Sequence, residues 1–367
     1  MKVLQLISSS FGFYGAERVC VTLALELEKI GVDSVVGAFR NTHKDAHLEI
    51  LEHANQVGLT AEQITCKGRF DWSAVVALRA IVERHKIDLI HCHNIKPNLY
   101  SWLALRNGGI PILSTCHSWH TGTPRGWFIS VLDRLILHGL DRVVLVSDHM
   151  KPQVRRFAIP ADIIYNGIDP SPFCIPKSDL REKMNWSQRP LVGAIGRLSH
   201  EKGIKYLLRA AVTILEDFPN ALFLIVGDGP RRQSLETEAI ALGIQESVRF
   251  LGVREDIPEI LSCLDVLVMP SLIEGMPMAL LEAMASGLPV VASRVGSIPA
   301  VVENRTNGIM CTPGDASTLA AEVLDLIEDK ELRSRLGRKA SKDVETNFSA
   351  ASMAKRYLQV YRSMTSN

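Results

Sequence analysis

Short apolar runs alternate with longer stretches of helical period along the chain, a pattern that predicts parallel sheets clad by helices on both faces. In the first half, Val3 to Ser8, Ser34 to Phe39, Asp88 to Cys92, Ile112 to Cys116 and Arg142 to Ser147 read as strands. Several are apolar throughout, as strands covered on both faces are. Helices are predicted at about Gly15 to Ile30, Trp72 to His85, Lys96 to Arg106 and Trp127 to His138. In the second half the strands are Leu191 to Ile195, Leu222 to Val226, Val248 to Phe250, Val266 to Met269 and Val290 to Ala292, with helix from Ala316 onward. Between the halves, IIYNGIDPSPF (Ile163 to Phe173) starts as a short strand and breaks into Asn-Gly and two prolines. That is turn chemistry, and it places a domain hinge just after it.

A chain of 367 residues is about twice the usual domain size, so two domains are expected. A formal net charge of +1 gives no electrostatic case for nucleic acid. Through residue 165, Lys plus Arg exceeds Asp plus Glu by three, and ten of the eleven histidines fall there, a slightly cationic first half. Seven scattered cysteines, an odd count without a C-x-x-C pair, argue against a disulfide framework and for a reducing cytoplasm. The first apolar run is too brief for a signal peptide and reads as a strand. No window approaches the roughly 20 apolar residues of a membrane span, so any membrane contact would be peripheral, at the inner face.

The most informative stretch is PSLIEGMPMALLEAMASGLPVVA, Pro270 to Ala292. Glu274 and Glu282 bracket a Pro-initiated apolar segment lying between two strands. Proline at the first helical position is pre-organised and lacks an N–H that would be orphaned there. With Pro277 in that place, the next N–H groups point out of the helix end, a natural seat for phosphate. Glu282 would lie roughly 8 Å farther along the axis. Two carboxylates around an anion seat suit a ligand with hydroxyls on both sides of a diphosphate, as in a nucleotide sugar. A second cluster, GRLSHEKG, follows the strand Leu191 to Ile195 and carries Arg197 and Lys202. Ligands of open α/β sheets bind beyond the carboxyl ends of strands, where two cations can neutralise a diphosphate.

These residues resemble the E-x7-E signature of retaining glycosyltransferases with the GT-B fold, in family 4 (glycosyl transferase group 1). The likeness extends to VGAIGRLSHEKGIKYLL (Val192 to Leu208) and PAVVENRTNGIMCTPGD (Pro299 to Asp315), dense in the second half and thin in the first. The resemblance implies an α/β GT-B architecture, two Rossmann-like doubly wound domains facing a central cleft. Residues 1–168 would form the acceptor-binding domain, with a last helix at about 350–367 packing back on it, and 169–349 the nucleotide-sugar donor domain. It further implies that Arg197 and Lys202 hold the donor phosphates, Glu274 the transferred sugar and Glu282 the ribose. Backbone at Gly275, Met276, Pro277 and Met278 would approach sugar and phosphate, Gly227 would turn near the nucleotide, and Val253 would meet the base edge. Gly15 would belong to the Gly-rich first loop, where Tyr14 replaces the first glycine of the usual pair. His117, at the end of a strand, would join Glu274, Arg197 and Lys202 at the transfer centre.

His93 and Asn94, with His120, are placed on the acceptor side. A zinc site from His91, Cys92, His93, Cys116, His117 and His120 lacks the usual ligand spacing, and His91 and His93 would share a strand face opposite Cys92. No D-x-D pair follows an apolar strand, so neither metal nor other cofactor is expected. The run WFISVLDRLIL (Trp127 to Leu137) could lie on an anionic membrane or pack in the core, and core packing is the favoured reading. The expected function is retaining, metal-independent, hexosyltransferase-type transfer from a nucleotide-diphosphate sugar, with UDP the expected nucleotide. The acceptor would be a sugar or lipid-linked saccharide, as in cell-surface polysaccharide or glycoconjugate assembly. A non-catalytic nucleotide-sugar-binding protein and a sugar-nucleotide epimerase of the same fold are the alternatives.

Overall fold

The computed structural model describes residues 1–8, 15–42, 48–68, 70–105, 108–117, 124–176 and 179–365, and at 124 and 125 the backbone only. The chain forms two compact units, one of Met1–Gly167 with Ala350–Asn367, the other of Ile168–Ser349.

The first unit is built on seven strands, β1 (Lys2–Ile7), β2 (Asp33–Asn41), β3 (Thr60–Cys66), β4 (Leu89–Cys92), β5 (Ile112–Cys116), β6 (Arg142–Leu145) and β7 (Asp162–Ile163). All pair in parallel in the order β3-β2-β1-β4-β5-β6-β7. The second unit repeats the scheme with β8 (Leu191–Ile195), β9 (Leu222–Val226), β10 (Val248–Gly252), β11 (Val266–Met269), β12 (Val290–Ser293) and β13 (Ile309–Cys311), ordered β10-β9-β8-β11-β12-β13. In both sheets the strand order reverses beside the first strand, the doubly wound arrangement that places ligands beyond the carboxyl ends of the central strands.

Each sheet is buried on both faces because successive side chains alternate. In the first unit Leu4 and Leu6 join Phe39, Leu78 and Tyr100 on one face, whereas Ile7 packs with Val21, Val36 and Ile50 on the other. The second unit's core gathers Val192, Leu207, Ile214, Phe223 and Val268. Several short elements were not revealed by the sequence, three of them in or beside the sheets. Strand β3 is half exposed and mixed in polarity, as edge strands are; β13 spans three residues; and the helix Glu49–Gln56 is short. The last helix, Ala350–Thr365, belongs to the first unit, where Tyr357 and Tyr361 are fully buried.

Candidate active site

In the second unit, the loops after β8, β11 and β12 are tied together by backbone. The carbonyl of Glu201 accepts from Leu272 N at 2.7 Å, which fixes the β11 loop against the short helical turn His200–Lys202. Gly203, at φ +64°, sits so close to this loop that a Cβ would lie 2.0 Å from Pro270 O. Gly296, at φ +57°, meets Glu274 O in the same way, also at 2.0 Å. Glycine alone combines this left-handed conformation with the absent side chain. Ser297 N donates to Gly275 O at 3.1 Å, and its hydroxyl lies 3.1 Å from Met276 Sδ.

The consequence is a paired charge in front of a helix end. Lys202 Nζ donates to both Glu274 oxygens, at 2.7 and 2.9 Å, and Ser271 Oγ donates to Oε1 at 2.7 Å. The Glu274 side chain is 6% exposed and that of Lys202 26%. The next helix is Met278–Ala285, and Pro277 is its extended N-cap (φ −75°, ψ 118°) rather than its first residue. Pro277 supplies no side-chain cap to this helix end. Glu282 thus lies roughly 6 Å from the first helical residue, closer than the expected 8 Å, and is buried. Arg197 is exposed beyond β8, Gly227 (φ +121°) follows β9, and Val253, largely exposed, follows β10. These residues all stand at carboxyl ends of the second sheet. Of these, Lys202 and Glu274 are bonded directly to each other.

In the first unit, Gly15 is the first residue of the helix Gly15–Lys29. Asn94 joins the ends of β1 and β4: its Oδ1 accepts from Ser8 N and Oγ at 3.2 and 2.8 Å, and its Nδ2 donates to Ser8 O at 3.1 Å. His93 and His117 follow β4 and β5, with His93 Nδ1 3.2 Å from His117 Nε2. His120 lies outside the described residues. His93, Asn94, Asn98, His117 and Asp133 line a cavity of about 330 Å³. A larger hollow of about 740 Å³ lies at the amino-terminal edge of the same sheet, around Asp88 and Asp141, away from every expected residue.

His93 lines this cavity but is otherwise buried, 1% exposed. Its Nε2 lies 2.8 Å from Gln5 Oε1, and Gln5 Nε2 donates to Tyr361 Oη at 3.1 Å. Tyr361 Oη lies 2.7 Å from His91 Nδ1, and His91 Nε2 2.7 Å from Thr115 Oγ1. Thr115 Oγ1 is in turn 2.9 Å from Tyr357 Oη. Gln5, His91, His93, Thr115 and His117 share one face of three central strands by the period of two, and Tyr357 and Tyr361, four apart on their helix, cover it. Sequence reasoning missed Gln5, Thr115 and both tyrosines; a lone glutamine inside the apolar run VLQLI was the available signal. It missed Ser271 and Ser297 as well. With both ring nitrogens of His91 and His93 engaged, neither offers a lone pair for a metal. Among the described residues no group of three or more His, Cys, Asp or Glu side chains could hold one.

The helix Pro124–Leu137 corrects the core-packing expectation. Its polar residues Ser130, Asp133 and Arg134 are buried, while Trp127 (57% exposed), Phe128 (63%) and Leu135 (56%) face out. Asn98 Nδ2 donates to Asp133 at 3.0 Å, and the Arg134 guanidinium donates to Gln153 at 2.8 Å while lying over the Phe157 ring. These polar partners lie beneath the helix, so its apolar residues are turned outward. No helix among the described residues is long and apolar enough to cross a membrane.

Residues 176–343 match the family model for glycosyl transferases group 1, and residues 13–172 that for glycosyltransferase family 4. Over 296 residues the chain is 32% identical to an uncharacterized glycosyltransferase of Methanocaldococcus jannaschii, spanning 76% of this chain and 75% of that protein. It is 29% identical over 283 residues to the UDP-Gal:alpha-D-GlcNAc-diphosphoundecaprenol alpha-1,3-galactosyltransferase of Escherichia coli, spanning 71% and 72%. The crystal structure of Anabaena HepE in complex with UDP has a TM-score of 0.87 to this chain at 23% identity, covering 99% of this chain and 100% of that one. That likeness shows the fold, GT-B. With both halves matched and two doubly wound units in place, this chain belongs to the group 1 glycosyl transferases of family 4.

Proposed function

We propose that this glycosyltransferase moves a sugar from a UDP-sugar to a lipid-linked saccharide, with retention of configuration and without a metal. The observation that supports it most is the arrangement of Lys202, Ser271 and Glu274, bonded together in front of a helix end to which Pro277 gives no side-chain cap. Backbone N–H groups at that end, with Lys202 and Arg197, can stabilise the negative charge that grows on a departing diphosphate. Glu274 then faces the sugar and Glu282 the ribose. In transfer with retention the bond from the anomeric carbon to phosphate breaks and the bond to the acceptor oxygen forms on the same face. The acceptor's proton passes to the leaving phosphate oxygen, so His117 orients the acceptor rather than deprotonating it. A UDP complex among similar structures and a UDP-sugar-using relative favour uridine.

UDP release from UDP-glucose, with the product's anomeric configuration read by NMR, tests the reading. An inverted product, or activity abolished by EDTA and restored by Mg²⁺, would overturn the mechanism. A thermal-shift comparison of UDP, GDP and ADP tests the nucleotide, since a true ligand stabilises by mass action.

The lipid-linked acceptor rests on the outward apolar face of Pro124–Leu137, with Arg155 and Arg156 exposed on the neighbouring segment. Aromatic side chains beside cations suit an anionic bilayer surface. Co-sedimentation with vesicles of phosphatidylglycerol should succeed for the native chain and fail for Phe128→Ser with Leu135→Ser. Equal binding by both would remove this helix from the membrane reading.

A further inference from the structure

In the second unit the loops after β8 and β9 are locked to each other by backbone. Leu198 N donates to Asp228 O and Arg231 N to Leu198 O, both at 2.9 Å, and a Cβ on Gly227 would lie 2.1 Å from Gly196 O. The exit of β10 is held differently. Gly227 N donates to Gly252 O at 2.7 Å, but the pairing of β10 with β9 slips by one residue between Phe250 and Gly252. Such a bulge re-aims the chain as it leaves the sheet. One guanidinium grips it. Arg232, the first residue of the helix Arg232–Ala241, donates through Nη2 to Phe250 O at 3.4 Å and through Nη1 to Asp228 Oδ2 at 3.1 Å. Its Nε donates to Glu236 at 2.9 Å. A Cβ on Gly252 would meet Nη1 at 3.4 Å, so the bare glycine lets the guanidinium lie against the strand exit. With two carboxylates already on it, this cation is committed to the loops rather than to a phosphate.

We propose that Arg232 is a positioning residue for the nucleoside end of the donor: by clamping the β10 bulge to the loop after β9, it fixes a shelf of Gly227, Gly252 and the exposed Val253 on which the base lies. This rests on the reading of a UDP-sugar donor and adds what holds its uridine in place. The diphosphate seat is the end of Met278–Ala285, beside Lys202. Toward β12 the space is closed, because Gly296 already presses on Glu274 O and Ser297 N is bonded to Gly275 O. Toward the other edge of the sheet, three neighbouring strands in a row, β8, β9 and β10, end in the glycines Gly196, Gly227 and Gly252, each at positive φ. Bare backbone at three successive strand ends makes a flat surface that a planar base can approach closely. Arg232 touches that surface from the side, through Phe250 and Asp228. Its effect therefore belongs to the uridine's share of the affinity and not to the diphosphate's.

The test compares UDP with inorganic pyrophosphate by calorimetry on the full chain, in the native protein, Arg232→Gln and Arg232→Lys. The Arg232 side chain is 33% exposed, so both variants should fold, as circular dichroism would show. In Arg232→Gln the affinity for UDP should fall about tenfold, while that for pyrophosphate changes by less than about twofold. Amide exchange should quicken at 250–254 and not at 272–278. Arg232→Lys keeps the charge without the fork of donors, and should recover only part of the loss. Equal losses for the two ligands would make Arg232 a phosphate ligand or a general support, and would overturn the proposal. So would native UDP affinity in a folded Arg232→Gln, or full recovery in Arg232→Lys. The donor reading fails separately: a native chain that binds pyrophosphate as tightly as UDP makes no use of uridine, whatever Arg232 does.

Discussion

Lys202 cannot be treated as a cation waiting for phosphate, because it is already bonded to Glu274 through both oxygens. Lys202→Met would leave a nearly buried carboxylate with Ser271 as its remaining side-chain partner, at a cost of about 1.5–3 kcal/mol. Loss of activity in that variant alone would therefore mix folding with chemistry. Adding Glu274→Gln should recover much of the stability and none of the transfer, and urea denaturation of the double-mutant cycle would measure the coupling. Additive single effects would mean that the pair does not act as a unit. The histidines make a second prediction. Burial depresses His91, His93 and His117 below 6.5, so the unfolded chain binds protons that the native chain refuses as the pH falls past that value. Stability should drop toward acid by up to about 1.4 kcal/mol per pH unit for each such proton. For His117 the loss levels off below about 4. Urea midpoints from pH 7.5 to 5 check this, and a flat profile would contradict it.

Between elements, the donor-side geometry depends on how closely backbones approach. Gly296→Ala would drive a Cβ to 2.0 Å from Glu274 O while holding a left-handed φ, so the β11 loop must move. UDP affinity measured by calorimetry should fall at least tenfold, with faster hydrogen exchange confined to the loops after β11 and β12. Unchanged affinity would show that Glu274 does not need its present position. The helix Pro124–Leu137 teaches a different lesson at this scale. Its periodicity is ordinary, but Asn98, Gln153 and Phe157 engage Asp133 and Arg134 beneath it and so turn the apolar stripe outward. Hydrophobic pattern predicted the helix without predicting which side faced the core.

For the molecule as a whole, the two units differ in how the chain builds them. Ile168–Ser349 is contiguous, carries its own core and should fold alone and bind UDP, as calorimetry on that fragment would show. The first unit is completed only by Ala350–Thr365. Ending the chain at Ser349 removes Tyr357 and Tyr361 and strands Gln5, His91 and Thr115 without their hydroxyl partners. Unsatisfied buried polar groups cost about 1–3 kcal/mol each, so hydrogen exchange should show this unit loosened while the second keeps its protection. Equal protection in both would mean that the tyrosines are not needed to satisfy the core.

The sequence by itself determined the strands and helices that periodicity marks strongly, the two-unit organisation of an α/β chain, and the family through Arg197, Lys202, Glu274 and Glu282 and the residues around them. These are local signals: a run of apolar residues, a proline before a helix, two carboxylates eight positions apart. It left unseen what depends on residues far apart in the chain. The pairing of Lys202 with Glu274 joins positions 72 residues apart, and that of His91 with Tyr361 joins positions 270 apart. Neither partner's spacing hints at the other, because parallel crossovers bring strands together in an order unrelated to their separation along the chain. The tertiary structure alone decided that His93 is bonded to Gln5 and lies against His117, and that one helix presents its apolar side outward. The physical reason is the same in each case: a buried polar group must be satisfied by whatever the fold places beside it.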